Sequence, residues 1–392
     1  MKLKEIIEYQ LKHHVSLLRF FNLTVSSALR LWGKFIPMDN KMILFSSLGR
    51  RYNDSPKAIY ENMMTLPRFK DFKMVWALDN PENSSIPGTP IIIKSDTITY
   101  FKYALKAKYW ITCVNIERSL HFKKKDCIYL NTWHGTALNK MGNEWPGRND
   151  FDFSHINFFC YESDYQKQHC YAAFNTREEA MIPTGLPRND TLYRVTPEEV
   201  MKIKKRLNLP LDKKIILYAP TWRDSNDHGE NYVLQPPINI DYWEECLKDD
   251  YIILLRTHHY TTKLLGVTFN SFVRNYIDYP VINDLFKVSD ILISDYSSCL
   301  TDFSILERPI ICFGYDYDDY RAYPGLNIDF EKELPSGVIR TEKKVIEHIL
   351  NMDYEKECIK TKEFKNKYTN IGGNATEICI EKMFGKEYLA DI

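Results

Sequence analysis

Residues 291–302 read ILISDYSSCLTD. Ile291, Leu292 and Ile293 form a short apolar run without polar alternation, the pattern of a strand buried on both faces. A polar turn follows, Ser294-Asp295-Tyr296-Ser297-Ser298, and residues 299–306 read as a helix. Strand, polar turn and helix make half of a βαβ unit, and sheets built from such units are parallel. Two hydroxyls at a helix N-terminus, Ser297 and Ser298, stand beside free N–H groups and suit an anion. Asp302 falls one turn beyond Ser298 on the same face, placed to accept from ribose or polyol hydroxyls. Either serine also suits a plain N-cap.

The alternation extends on both sides. In the second half Ile215–Ala219, Tyr251–Arg256 and Ile310–Phe313 read as further strands, and residues 341–384 as two or three terminal helices. In the first half the candidate strands are Met42–Phe45, Met74–Leu78, Ile91–Ile93, Tyr109–Cys113, Ile128–Leu130 and Phe158–Tyr161. Candidate helices are Pro56–Met64, Thr97–Lys108 and Asp164–Phe174. A break falls near Gly185–Asp190. Then Thr196, Pro197 and Glu199 read as the cap, first turn and capping-box acid of a helix. The expected fold is α/β: two facing Rossmann-like domains with parallel sheets, residues 39–190 and 191–392. Ligands of such sheets bind outside the carboxyl ends of the strands.

Each remaining motif lies at a strand end. Trp133-His134-Gly135-Thr136 follows Ile128–Leu130, and an imidazole there suits proton transfer near neutral pH. A buried structural histidine reads equally from one motif. Ala219-Pro220-Thr221-Trp222-Arg223 follows Ile215–Leu217; Thr221 and Arg223 suit phosphate, and a turn with a surface arginine is the plain alternative. Arg256-Thr257-His258-His259 suits a diphosphate; adjacent histidines diverge, which disfavours a metal. Gly185-Leu186-Pro187-Arg188-Asn189-Asp190 is a turn at the junction, with Arg188 and Asp190 facing the cleft or serving as a hinge.

Residues 1–38 form a separate segment. Val15, Leu18, Val25, Leu29, Trp32 and Ile36 recur at helical spacing, and Leu17, Phe20, Phe21, Leu23, Leu31 and Phe35 widen the apolar arc. Six basic residues against Glu5 and Glu8 give it net +4. A basic amphipathic helix of this kind lies in a membrane interface, or packs on its own protein. Lys102, Lys106, Lys108, Arg118, Lys123, Lys124 and Lys125 form a second basic cluster. No run of about 20 uncharged apolar residues exists, so no spanning helix is expected.

Composition narrows the classes. The 392 residues carry 52 Lys+Arg and 52 Asp+Glu, which argues against a binder of nucleic acid through bulk charge. Hydrophobic residues make up 44%, a globular mix. The nine cysteines form no CxxC pair, so reduced thiols are expected.

Together the Trp-His-Gly-Thr run at 133–136, Gly-Leu-Pro-Arg-Asn-Asp at 185–190, Ala-Pro-Thr-Trp-Arg at 219–223, Arg-x-His at 256–258 and Asp-Tyr-Ser-Ser with Asp302 resemble the CDP-glycerol glycerophosphotransferase family. These are the teichoic acid primases and polymerases. Ser55-Pro56-Lys57-Ala58-Ile59-Tyr60 is similar to the family's first helix. One departure is His259, where the family is expected to carry proline.

The resemblance implies a GT-B fold with the acceptor on the first domain and the donor on the second. It implies transfer of polyol phosphate from CDP-glycerol or CDP-ribitol to an undecaprenyl-diphosphate-linked acceptor, releasing CMP, at the cytoplasmic face of a bacterial membrane. His134 is then the general base and His258 stabilises the diphosphate. Arg256, Thr221, Arg223, Asp295, Ser297, Ser298 and Asp302 bind the donor; Gly135, Thr136, Arg188 and Asp190 lie on the acceptor or interdomain side. No tightly bound cofactor or metal and no nucleic acid is expected; the membrane surface and other polymer-synthesis enzymes are the expected partners. Two other readings are a GT-B glycosyltransferase using a nucleotide sugar, and a non-catalytic membrane-associated nucleotide-binding module.

Overall fold

The computed structural model describes residues 15–145, 148–221, 233–234, 237–257, 263–264, 267–322 and 325–389. Seven strands form the first sheet: β1 (Asp39–Ser46), β2 (Lys73–Leu78), β3 (Ile91–Lys94), β4 (Ala107–Thr112), β5 (Ile128–Asn131), β6 (Phe158–Tyr161) and β7 (Met181–Pro183). Their order is β3-β2-β1-β4-β5-β6-β7, with every pairing parallel. The second half continues with β8 (Lys214–Ala219), β9 (Val233–Leu234), β10 (Tyr251–Leu255), β11 (Lys263–Leu264), β12 (Val273–Asn275), β13 (Ile291–Ser294), β14 (Ile310–Phe313) and β15 (Val338–Ile339). Six of these form the second sheet, β12-β10-β8-β13-β14-β15, again parallel throughout. β9 and β11 pair separately.

Numbered by the order of its own strands, each sheet runs 3-2-1-4-5-6, the doubly wound order, and the first adds a seventh strand at its edge. Both faces of each sheet are covered, so the strands read as unbroken apolar runs. The alternation sorts neighbours onto opposite faces. Met42 and Leu44 enter one buried cluster while Ile43 and Phe45 enter another. In the second sheet Ile215 and Leu217 separate from Ile216 and Tyr218 in the same way.

The expected strands all form. β7, β9, β11, β12 and β15 were not foreseen: at two or three residues each they are too short to show a period. The helix expected over Thr97–Lys108 ends at Lys106, because Ala107 and Lys108 already pair in β4. Thr196 caps its helix through the Glu199 N–H at 3.2 Å. The Glu199 carboxylate does not close the box; it pairs with the Lys287 ammonium at 2.6 Å. All nine cysteines are free.

Two terminal elements cross the plain division of the chain. The helix Ala375–Phe384, last in the sequence, packs on the first sheet, with Cys379 and Ile380 buried among Ile43, Leu130 and Cys160. At the other end the helix Val15–Phe35 splits its apolar arc. Val25, Leu29, Trp32 and Ile36 pack against the first core. Leu17, Phe20, Phe21, Leu23, Leu31 and Phe35 stay exposed, Phe35 at 77%. No helix among the described residues is long and apolar enough to cross a membrane.

Candidate active site

The strand order reverses beside β1 in the first sheet and beside β8 in the second, and such switch points open crevices at the carboxyl ends. Both crevices open into one cleft of about 990 Å³. Asp54, His134 and Arg188 line it from the first half; Thr221, Ser297 and Ser298 line it from the second.

His134 sits beyond β5. Its Nδ1 lies 2.7 Å from the Cys113 carbonyl oxygen, which only accepts, so Nδ1 carries the proton and Nε2 keeps its lone pair. The ring lies against Trp133, with centroids 4.1 Å apart. Burial lowers the His134 pKa from its ordinary 6.5; the Cys113 carbonyl and the Asp54 carboxylate oppose that. An imidazole that is neutral at pH 7 is ready to take a proton.

Gly135 has φ +146° and faces Ser298 so closely that a Cβ would collide with the serine Oγ. Glycine is therefore what lets the two halves meet. Behind it, Thr136 donates to the buried Glu162 carboxylate. Gln166 holds the same loop, with its side-chain amide 3.4 Å from the Gly135 carbonyl. Burial and the Asp302 charge push the Glu162 pKa up to about 8.

Arg188 joins the halves. One guanidinium nitrogen is 2.8 Å from Asp54 Oδ2 and another is 2.7 Å from Asp302 Oδ2. Burial pulls its pKa down, but the two carboxylates outweigh burial and hold it above the ordinary value. Asn189 donates to Asp302 Oδ1 at 2.6 Å. Asp302, expected to receive donor hydroxyls, thus has interdomain partners on both oxygens, though a carboxylate retains further acceptor capacity. Asp190 accepts from the Ala375 and Thr376 N–H groups, each at 2.8 Å, and caps the terminal helix.

From the second half, Asp295 Oδ1 accepts from the Thr221 N–H at 2.9 Å and its hydroxyl at 2.6 Å. Asp295 positions Thr221 and does not itself line the cleft. Ser297 Oγ accepts from the Cys299 N–H at 3.2 Å, a local turn bond. One Arg256 guanidinium nitrogen donates to the carbonyls of Tyr276, Ile277 and Tyr279 at 2.6–3.3 Å, so this side chain staples a turn while bordering the cleft. Arg223 and His258 lie outside the described residues.

Sequence reasoning missed Asp54, Asn189 and Glu162. Asp54 carries one readable signal, since it directly precedes Ser55-Pro56 at the start of a helix. Its φ of +56° is unusual for a residue with a side chain and is held by the Arg188 pair. Glu162 gives no local signal, because the groups around its carboxylate, Thr136, Arg188 and Asp302, come from distant segments.

The sequence profile of the CDP-Glycerol:Poly(glycerophosphate) glycerophosphotransferase family matches residues 29–383. The chain belongs to that family. The teichoic acid poly(glycerol phosphate) polymerase of Bacillus spizizenii is 30% identical over 370 residues, covering 89% of this chain and 93% of the relative. That of Staphylococcus epidermidis is 32% identical over 333 residues, 80% of this chain and 46% of the relative, so the chain spans about half of that longer protein. Among solved structures, the wall teichoic acid polymerase TagF superposes with TM-score 0.81 at 28% identity, covering 99% of both chains. A histidine-to-asparagine variant of the same polymerase has been solved after soaking with CDPG.

Proposed function

We propose that this protein transfers glycerol phosphate or ribitol phosphate from the matching CDP-polyol to a hydroxyl of a lipid-linked acceptor in teichoic acid synthesis, releasing CMP. The observation that carries this reading is the meeting of His134 and Ser298 across one cleft at the switch points of two doubly wound sheets. In this reading the fold is GT-B, with the acceptor beside the first sheet and the donor on the second. Family membership supplies the donor class.

The acceptor oxygen attacks the phosphorus that bears the polyol. Its proton passes to His134 Nε2, and the bond from that phosphorus to the bridging oxygen breaks, so that CMP leaves with the electron pair. Catalysis of this kind is mainly positioning and charge stabilisation. Thr221, fixed by Asp295, and Ser297 and Ser298 would hold the donor phosphates. His258 and Arg223 keep the diphosphate and nucleotide roles that their motifs imply. Arg188 holds the halves together and screens charge beside His134. The exposed apolar side of the helix Val15–Phe35 supports peripheral binding at the cytoplasmic membrane face, next to the basic cluster that includes Lys124.

The test is CMP release from CDP-glycerol and CDP-ribitol, run beside UDP-glucose and UDP-N-acetylglucosamine, with a short-chain lipid-diphosphate-disaccharide acceptor that carries or lacks a first glycerol phosphate. The expected result is CMP from one CDP-polyol, with the acceptor gaining the matching polyol phosphate. UDP release alone would move the protein to the sugar transferases.

A further inference from the structure

The loop after β4 carries Glu117 and His121, and the turn before β6 carries His155. Glu117 is 1% exposed, an unusual place for a carboxylate. Its Oε1 accepts from the N–H groups of Phe122 and Lys123, both at 2.7 Å. Its Oε2 is fully enclosed, makes no aligned hydrogen bond, and points at His155 Nε2. The His121 ring stands edge-on to His155, with centroids 5.5 Å apart. One donor atom from each of the three lies within 4.8 Å of the others.

Burying a carboxylate oxygen without hydrogen bonds is costly unless a cation meets it. A charged His155 would supply one cation but would leave the adjacent His121 unexplained. Two imidazoles and one carboxylate are instead the donor set of a zinc-type ion. The two N–H bonds to Oε1 fix the carboxylate as an outer shell fixes a metal ligand. None of the three residues lines the cleft.

We propose that Glu117, His121 and His155 form a binding site for a divalent transition-metal ion, zinc foremost, separate from the transfer site. His121 faces solvent, which gives an entry path and leaves the fourth position to water. The role is structural. The His121 backbone N–H donates to Ser26 Oγ of the helix Val15–Phe35 at 3.2 Å, so an ion here ties that helix, the loop after β4 and the turn before β6 together. Lys123, beside Glu117 on the same loop, is a nearby cation that opposes it.

The experiment uses the full chain, stripped with EDTA and desalted. Zinc is titrated by calorimetry and cobalt by its visible absorption, with thermal unfolding followed in parallel. The expected result is one ion per chain, a tetrahedral cobalt spectrum and a raised Tm. His121→Ala and His155→Ala, checked for fold by circular dichroism, should each weaken binding at least tenfold and leave CDP-glycerol binding unchanged. Absence of saturable binding to the parent protein would overturn the site, whatever the variants do. So would binding that survives the double His121→Ala/His155→Ala substitution.

Discussion

His134 depends on neighbours that sequence order does not reveal. The Cys113 carbonyl sets its tautomer, and Asp54 and Arg188 pull its pKa in opposite directions. The strand-end motif marked His134 as a candidate base; the residues that tune it come from the ends of other elements and were not legible. Because burial lowers its pKa, kcat/KM should rise with pH to a plateau with an inflection below 6.5. Asp54→Asn removes a carboxylate and exposes the ring to Arg188, so the inflection should move lower still; a kcat/KM profile for the acceptor, taken well below saturation, reads it. Glu162 gives the opposite sign in stability. Its folded pKa of about 8 exceeds the ordinary 4.5, so the folded chain keeps a proton that the unfolded chain releases. Stability is therefore lost as pH rises between these values. Glu162→Gln should unfold at higher urea than the parent at pH 8.5 and show little advantage at pH 5.

Strands were the most legible elements, because burial on both faces writes each as an apolar run. β8 through Ile215–Leu217 and β13 through Ile291–Ile293 are fully enclosed. The three short edge strands carry no such run. The terminal helix was legible as a helix, but its place on the first sheet was not, since that rests on Asp190 reaching it from 185 residues away. Asp190→Ala leaves two enclosed N–H groups without their carboxylate. This should cost about 2 kcal/mol in urea unfolding, with transfer chemistry reduced only through lost fold. The helix Val15–Phe35 shows a related limit. Periodicity marked its apolar residues, yet only packing could divide those that meet the core from those left exposed. If the exposed side meets lipid, Phe20→Ser with Leu23→Ser and Phe35→Ser should lower co-sedimentation with anionic vesicles at least tenfold while solution CMP release persists. Unchanged sedimentation would remove the helix from membrane binding.

At the scale of the molecule, two sheets of the same winding point their carboxyl ends at each other, and the close approach of Gly135 to Ser298 is one of the contacts that bring them together. That symmetry was readable from the two runs of alternating elements. The ion pair that binds the halves, Arg188 with Asp302, and its brace at Asp54 were not, because Arg188 and Asp302 each read as a ligand-facing residue of its own segment and nothing local pairs one with the other. The proposed mechanism puts the base on one half and the donor on the other, so the two functions should separate in one variant. The decisive measurement is His134→Asn, with CMP release and CDP-glycerol affinity determined on the same preparation. A fall of about 10²–10⁴ in rate with donor affinity kept within twofold is the expected result. Full activity, or loss of donor binding in proportion to rate, would contradict the division of the site between the two sheets.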